Sequence, residues 1–240
     1  MEGRMYTIEY LLQNSNLPGP RGNLELLYDF SRNADAEIVR KCLEYVKTDT
    51  SNSPEEFVGM CGILGYAQIN KTKNKAVLAF LRNYASYNSW RIRETVAMGI
   101  QEISVNNIEK TLENIETWIN GNFLEQRAVV AGLCEPKLLK NEINNIKVLI
   151  ILEKITRNIS HDNKLSDQEV SLRKALGYGW SVVIVSTPEN AKNYFEKLFR
   201  LPGKHVNWII KENLKKNRLI KMDPEWVKKC GIRLTTLTDL

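Results

Sequence analysis

Asn88-Ser-Trp-Arg-Ile-Arg-Glu94, Asn122-Phe-Leu-Glu-Gln-Arg-Ala128, Glu169-Val-Ser-Leu-Arg-Lys-Ala175 and Val206-Asn-Trp-Ile-Ile-Lys-Glu212 read as four versions of one phrase. Each opens polar, continues with bulky apolar residues and places a basic side chain near the fourth helical position. With Arg93, Arg127, Arg173 and Lys211 taken as equivalent, the spacings are 34, 46 and 38 residues. A unit of that length cannot bury its apolar face alone, so it stacks on its neighbours as a helical hairpin. The expectation is an all-α solenoid whose function sits on an extended concave surface rather than in one compact pocket.

The punctuation around these phrases extends the helical reading in both directions. Tyr6 to Gln13 reads as a short helix, and Leu17-Pro-Gly-Pro-Arg-Gly22 as a turn. Asn23 caps a helix over 24–31 and Asp35 one over 36–47. Ser53-Pro54-Glu55-Glu56 combines a cap, a proline at the first position and acids against the helix dipole, so a helix runs from there to about Gln68. That helix carries Gly59, Gly62 and Gly65 near one stripe. The residues between them are Met, Cys, Ile and Leu, which excludes a phosphate loop and predicts close backbone packing on a neighbouring helix. Further helices are expected over 74–86, 89–104, 108–119, 122–134, 138–159, 166–186, 189–200 and 204–217, with a short last one opened by Asp223-Pro224-Glu225. No segment alternates with a period of two. Val182 to Val185 has strand propensity but continues the helical pattern from Leu172. The chain is organised as one repeat domain over 1–240: N-terminal helices over 1–53, repeats over 54–217 and a C-terminal cap over 218–240.

Composition narrows the function classes. The chain has 43% apolar and 26% charged residues, as a soluble globular protein has. Residues 1–120 hold 13 Lys/Arg against 15 Asp/Glu, a balance of −2, whereas residues 121–240 hold 21 against 13, a balance of +8. Such asymmetry points to a basic face in the second half and an anionic partner, although lysine-rich solubilisation gives the same numbers. The stretch from Met1 to Asn16 lacks the pattern of a secretion signal, and the longest apolar runs are too short to cross a bilayer. Cys42, Cys61, Cys134 and Cys230 are scattered, which fits reduced, buried thiols in a cytoplasmic protein. No metal or cofactor is expected, because there is no Cys-x-x-Cys, no nucleotide-binding motif and only two histidines. His161 falls in the polar stretch 158–166, read as solvated loop, and His205 at a helix start. Neither has a nucleophile beside it in sequence.

The run from Lys204 to Arg233 is the strongest binding signal read directly from the residues. It carries Lys211, Lys215, Lys216, Arg218, Lys221, Lys228 and Lys229, interleaved with Trp208 and Trp226. Lys211 and Lys215 share a helix face with Arg218 three residues on, a phosphate-contact stripe. An ordinary solvated face of a capping helix has the same appearance.

Between about Lys75 and Arg200, three segments carry a resemblance. They are Ser89-Trp-Arg-Ile-Arg-Glu94, Gln126-Arg-Ala-Val-Val130 and Leu172-Arg-Lys-Ala-Leu-Gly-Tyr-Gly-Trp180. They resemble the HEAT-like repeats of the alkylpurine DNA glycosylases, the DNA alkylation repair family. The resemblance implies a right-handed superhelix of antiparallel HEAT-like helix pairs, similar to armadillo folds. It also implies that Trp90 matches the family's first aromatic, that Glu94 stands where the family has Asp, that Arg127 faces DNA phosphate and that Tyr178 replaces a second Trp. In such a site the carboxylate stabilises the cation formed as a glycosidic bond breaks. Glu for Asp and Tyr for Trp depart from the family pattern, and the segment after Lys204 has no counterpart.

The leading functional expectation is therefore binding without catalysis, with duplex DNA as the ligand. Arg93, Arg127, Arg173, Lys174, Lys211 and Lys215 would contact phosphates, and Trp90 and Tyr178 would lie against the backbone. A protein-interaction scaffold is the alternative. Excision of alkylated purines with Glu94 as catalytic residue is the third.

Overall fold

The structure, a computed structural model, describes residues 6–47 and 49–238. Among the described residues there are fifteen α-helices, one turn of 3₁₀ helix and no strand. The chain divides into two compact units, residues 1–114 and 115–240.

The first unit contains α1 (Ile8–Gln13), α2 (Leu24–Asn33), α3 (Ala36–Leu43), α4 (Pro54–Ile69), α5 (Asn74–Ala85), α6 (Trp90–Ser104) and α7 (Ile108–Asn114). Its centre is α4, which begins where the Ser53 Oγ accepts the Glu56 N–H and Pro54 presets the first helical turn. Every residue of α4 from Glu56 to Gly65 is buried. The helix packs on α1, α2, α3 and α6 at once, which is why its sequence is apolar all round instead of striped. The glycine stripe does what its spacing predicts. A Cβ on Gly62 would stand 2.6 Å from the Leu43 nitrogen and 2.8 Å from the Cys42 carbonyl carbon. Those atoms are backbone, so α3 and α4 touch main chain to side-chain-free main chain.

The second unit contains α8 (Glu116–Ile119), α9 (Phe123–Leu133), α10 (Glu142–Arg157), α11 (Asp167–Ser186), α12 (Pro188–Lys197) with a 3₁₀ turn over Leu198–Arg200, α13 (Lys204–Leu214), α14 (Asn217–Met222) and α15 (Pro224–Thr238). Its centre is α11, which packs on α9, α10, α12, α13 and α14. The helix is opened by a reciprocal cap between Ser166 and Glu169. Leu172, Leu176, Trp180 and Val183 fill the core, and the Trp180 indole N–H donates to Thr156 Oγ1 at 3.1 Å. Val182 to Val185 is helix, as the periodicity from Leu172 requires. Both units also contain next-but-one packing: α2 on α4, α4 on α6 and α5 on α7 in the first, and α9, α11, α13 and α15 in series in the second.

Several expected boundaries move. The helix expected over 108–119 breaks at Ile115, which is fully buried. There the chain tightens, the Trp118 N–H donating to the Ile115 carbonyl at 2.9 Å. The helix expected from 138 starts at Glu142, because Leu138 and Leu139 turn inward and Asn141 supplies the cap. The helix expected over 36–47 ends at Leu43, although the chain stays close to α4 through Val46. The helix expected over 204–217 ends at Leu214, so Arg218 belongs to α14 and does not continue the Lys211–Lys215 face. The cause is Asn213. Fully buried, it donates to the Leu176 and Ile209 carbonyls at 2.9 and 2.8 Å and accepts the Ser181 N–H at 2.8 Å, which pins the end of α13 to α11. The last helix is not short but runs fifteen residues.

Candidate functional site

The nominated residues divide between the units. Trp90, Arg93 and Glu94 lie on α6 in the first; Arg127, Arg173, Lys174, Tyr178, Lys211 and Lys215 lie in the second. On α6 the Ser89 hydroxyl caps the N–H groups of Arg91 and Ile92, which sets Trp90 as the first helical residue with its side chain outward. Trp90 is 52% exposed, so it is no part of the core. The Arg91 guanidinium lies over its ring at 4.7 Å. Arg91 is itself buried, its Nη1 at 3.2 Å from Glu56 Oε2 and its Nη2 donating to Gly19 O and Asn52 Oδ1 at 2.6 and 3.1 Å. Arg93 turns back to donate to the carbonyls of Tyr87 and Asn88. Glu94, one turn from Trp90, is half-buried.

In the second unit Arg127 on α9 and Tyr178 on α11 are half-buried, while Lys174 and Lys211 are exposed. Arg173 stacks on Trp208 at 4.4 Å and its Nη1 meets His205 Nδ1 at 3.1 Å. Lys215 reaches Glu212 at 2.5 Å and holds that carboxyl below the usual carboxylate range. The structure thus gathers Arg173, Lys211 and Lys215 around Trp208.

The two histidines, 44 positions apart, also meet, with ring centroids 5.5 Å apart. The reading of His161 as solvated loop is corrected: it is half-buried, and its Nε2 lies 3.2 Å from Glu169. His205 is buried, its Nε2 donating to Asn163 O at 2.8 Å, so Nδ1 is left to accept from Arg173. That assignment is inferred from the partners. Two hydrogen bonds from Ser166, with His161 beyond them, hold the Glu169 carboxyl below its usual range. Every polar contact here ties the 160–166 connection to α11 and α13. Gly203 completes the join, because a Cβ there would meet the His161 backbone at 2.6 Å and its φ is +106°. The cluster is a staple, and the hydroxyl within it, that of Ser166, donates to Glu169 as part of the helix cap. The only local signal for it was the Ser166–Glu169 capping spacing.

Thiol chemistry is also unsupported, since burial pushes the Cys42 thiol up to about 12 and raises Cys61 and Cys134 as well. All four cysteines are free and buried, as their scatter predicts. Among the described residues no three His, Cys, Asp or Glu side chains could hold a metal ion, and no helix is long and apolar enough to cross a membrane.

A concavity of about 570 Å³ forms a groove between α13 and α15. Lys204, Trp208, Lys211 and Lys215 line one side and Val227, Gly231 and Leu234 the other. The charge of the whole protein concentrates in these last helices. Between residues 204 and 233 there are nine Lys/Arg and three Asp/Glu, a balance of +6 equal to that of the entire chain; the remaining 25 of each sign cancel. Lys192 and Arg233 are engaged with Asp223 and Glu196, whereas Arg218, Lys221, Lys228 and Lys229 project into solvent.

The chain matches no protein-family model, no curated protein and no solved structure. Its function is argued from its own residues.

Proposed function

We propose that this protein is a non-catalytic binding protein, an α-solenoid of HEAT-like helix pairs that holds duplex nucleic acid by phosphate contacts. Next-but-one helix packing inside each unit supports the solenoid reading. The observation that carries the ligand is the confinement of the whole +6 charge to residues 204–233, on α13, α14 and α15. A local surplus of exposed cations neutralises phosphates and releases their counterions, which supplies affinity without sequence recognition. Arg127, Arg173 and Lys174 belong to the same unit and add to the contact surface. The test is duplex DNA binding across a salt titration. Affinity should be measurable at low ionic strength and should fall steeply as salt rises, and Arg127→Ala and Lys211→Ala should each flatten the slope by about 1. Salt-independent binding, or none at low salt, overturns the proposal.

A protein-interaction reading has one observation of its own. Ile143 and Ile150, seven residues apart on α10, are 67% and 51% exposed. Such a pair on one helix face fits a partner's apolar ridge. If that reading holds, Ile143→Asp should abolish co-purification of a partner and leave DNA binding intact.

A further inference from the structure

We propose that the groove between α13 and α15 takes unpaired nucleotides of a nucleic-acid strand, with phosphates on its lysine wall and bases against Trp208 and the apolar wall. This inference rests on the nucleic-acid reading above and specifies what that site takes.

The two walls differ in kind. Lys204, Trp208, Lys211 and Lys215 follow one face of α13 at i, i+4, i+7 and i+11. At 1.5 Å per residue they span about 16 Å, room for several phosphates of one strand. The facing residues Val227, Gly231, Leu234 and Thr235 carry no charge, and the Thr235 hydroxyl donates to the Gly231 carbonyl. Single-stranded nucleic acid is two-sided in the same sense, with an anionic edge and flat apolar bases. A duplex hides its bases and leaves an apolar wall unused.

Two further features fit flat ligands. Trp208 is half-buried, lines the groove, and is braced by Arg173 at 4.4 Å, so its ring is already oriented before a base stacks on it. Opposite, Gly231 leaves the groove open: no atom lies within 4 Å of where its Cβ would stand. An acidic amphipathic helix is the competing occupant. The Lys215–Glu212 pair on the rim is exposed and weak, so a phosphate displaces it readily.

The experiment compares a labelled oligothymidylate with a labelled duplex on the full chain and three variants. Gly231→Leu fills the groove without changing charge, and open space around the site makes it compatible with the fold. Trp208→Ala removes the stacking platform and Trp208→Phe keeps a ring. The expected result is that Gly231→Leu and Trp208→Ala each weaken oligothymidylate binding about tenfold, that Trp208→Phe recovers most of it, and that duplex binding changes less than about twofold. Oligothymidylate binding unaffected by Gly231→Leu, with duplex binding intact, overturns the groove assignment and leaves the phosphate reading standing. Displacement of the oligonucleotide by an acidic amphipathic peptide, in a manner abolished by Gly231→Leu, also overturns it. Failure of wild-type protein to bind either nucleic acid at low salt removes both proposals together.

Discussion

Arg91 and Glu56 show how much a single residue can hold in place. Their side chains are 6% and 1% exposed and meet at 3.2 Å. Glu56 also accepts the Ser89 hydroxyl and the Asn52 N–H, while Arg91 reaches Gly19, so one ion pair joins α4, the start of α6 and two connecting segments. Removing one member strands the other charge in the interior. Arg91→Ala should therefore lower stability by about 3–5 kcal/mol in urea unfolding. Lys41→Ala breaks an exposed pair with Glu37 and should leave the urea midpoint almost unchanged. Nothing local in the sequence announces Arg91, because its partner lies 35 residues away and the proposed repeat register falls on Arg93 instead. Trp90 and Glu94, by contrast, do share the helix face their spacing implies. The excision proposal attached to them has a direct assay, release of 7-methylguanine from methylated DNA. Glu94 carries an extra methylene relative to the family's Asp and follows Arg93, so the expected outcome is no release. Release abolished by Glu94→Gln would promote the enzyme reading.

At the scale of the helix, glycine and the cap separate what packing decides from what the local chain decides. Gly62→Ala gains helix propensity of about 1 kcal/mol but forces a Cβ to 2.6 Å from the α3 backbone, which cannot yield. The expected net effect is a loss of about 1–3 kcal/mol, seen as a lowered Tm. Gly231→Ala meets no neighbour and should stabilise by up to about 1 kcal/mol. The cap of α11 adds a pH term. Because Ser166 and His161 hold the Glu169 carboxyl low, its contribution is present above the unfolded carboxylate range and is lost as pH falls through the folded value. Ser166→Ala should cost about 1 kcal/mol at neutral pH, and the gap to wild type should narrow below about pH 4. Helix starts such as Ser53-Pro54, Asn122 and Ser166 were readable because a cap is local chemistry. The ends at Ile115 and Leu214 were not, since burial of Ile115 and the grip of Asn213 on α11 are tertiary events. The histidine staple escaped for the same reason.

At the scale of the whole molecule, the decisive quantity is where the charge sits rather than how large it is. Division of the chain at residue 120 detected the asymmetry and the Lys204–Arg233 run located it in the sequence, but only the helical layout spreads that run over α13, α14 and α15 and sets a lysine-edged groove among them. Two variants with the same net charge separate position from total. Replacing Arg218, Lys221, Lys228 and Lys229 by Gln lowers the net charge from +6 to +2 and removes four exposed cations from the last two helices. Replacing Lys47, Lys71, Lys75 and Lys110 by Gln lowers it equally but touches only the first unit. If phosphates sit on the C-terminal helices, the first variant reduces the slope of log affinity against log salt by about 3–4. The second leaves the slope unchanged, because the slope counts only the phosphates neutralised at the contact itself. Equal losses in both variants mean that the DNA responds to the protein's overall charge, and the assignment of the binding face to residues 204–233 then fails.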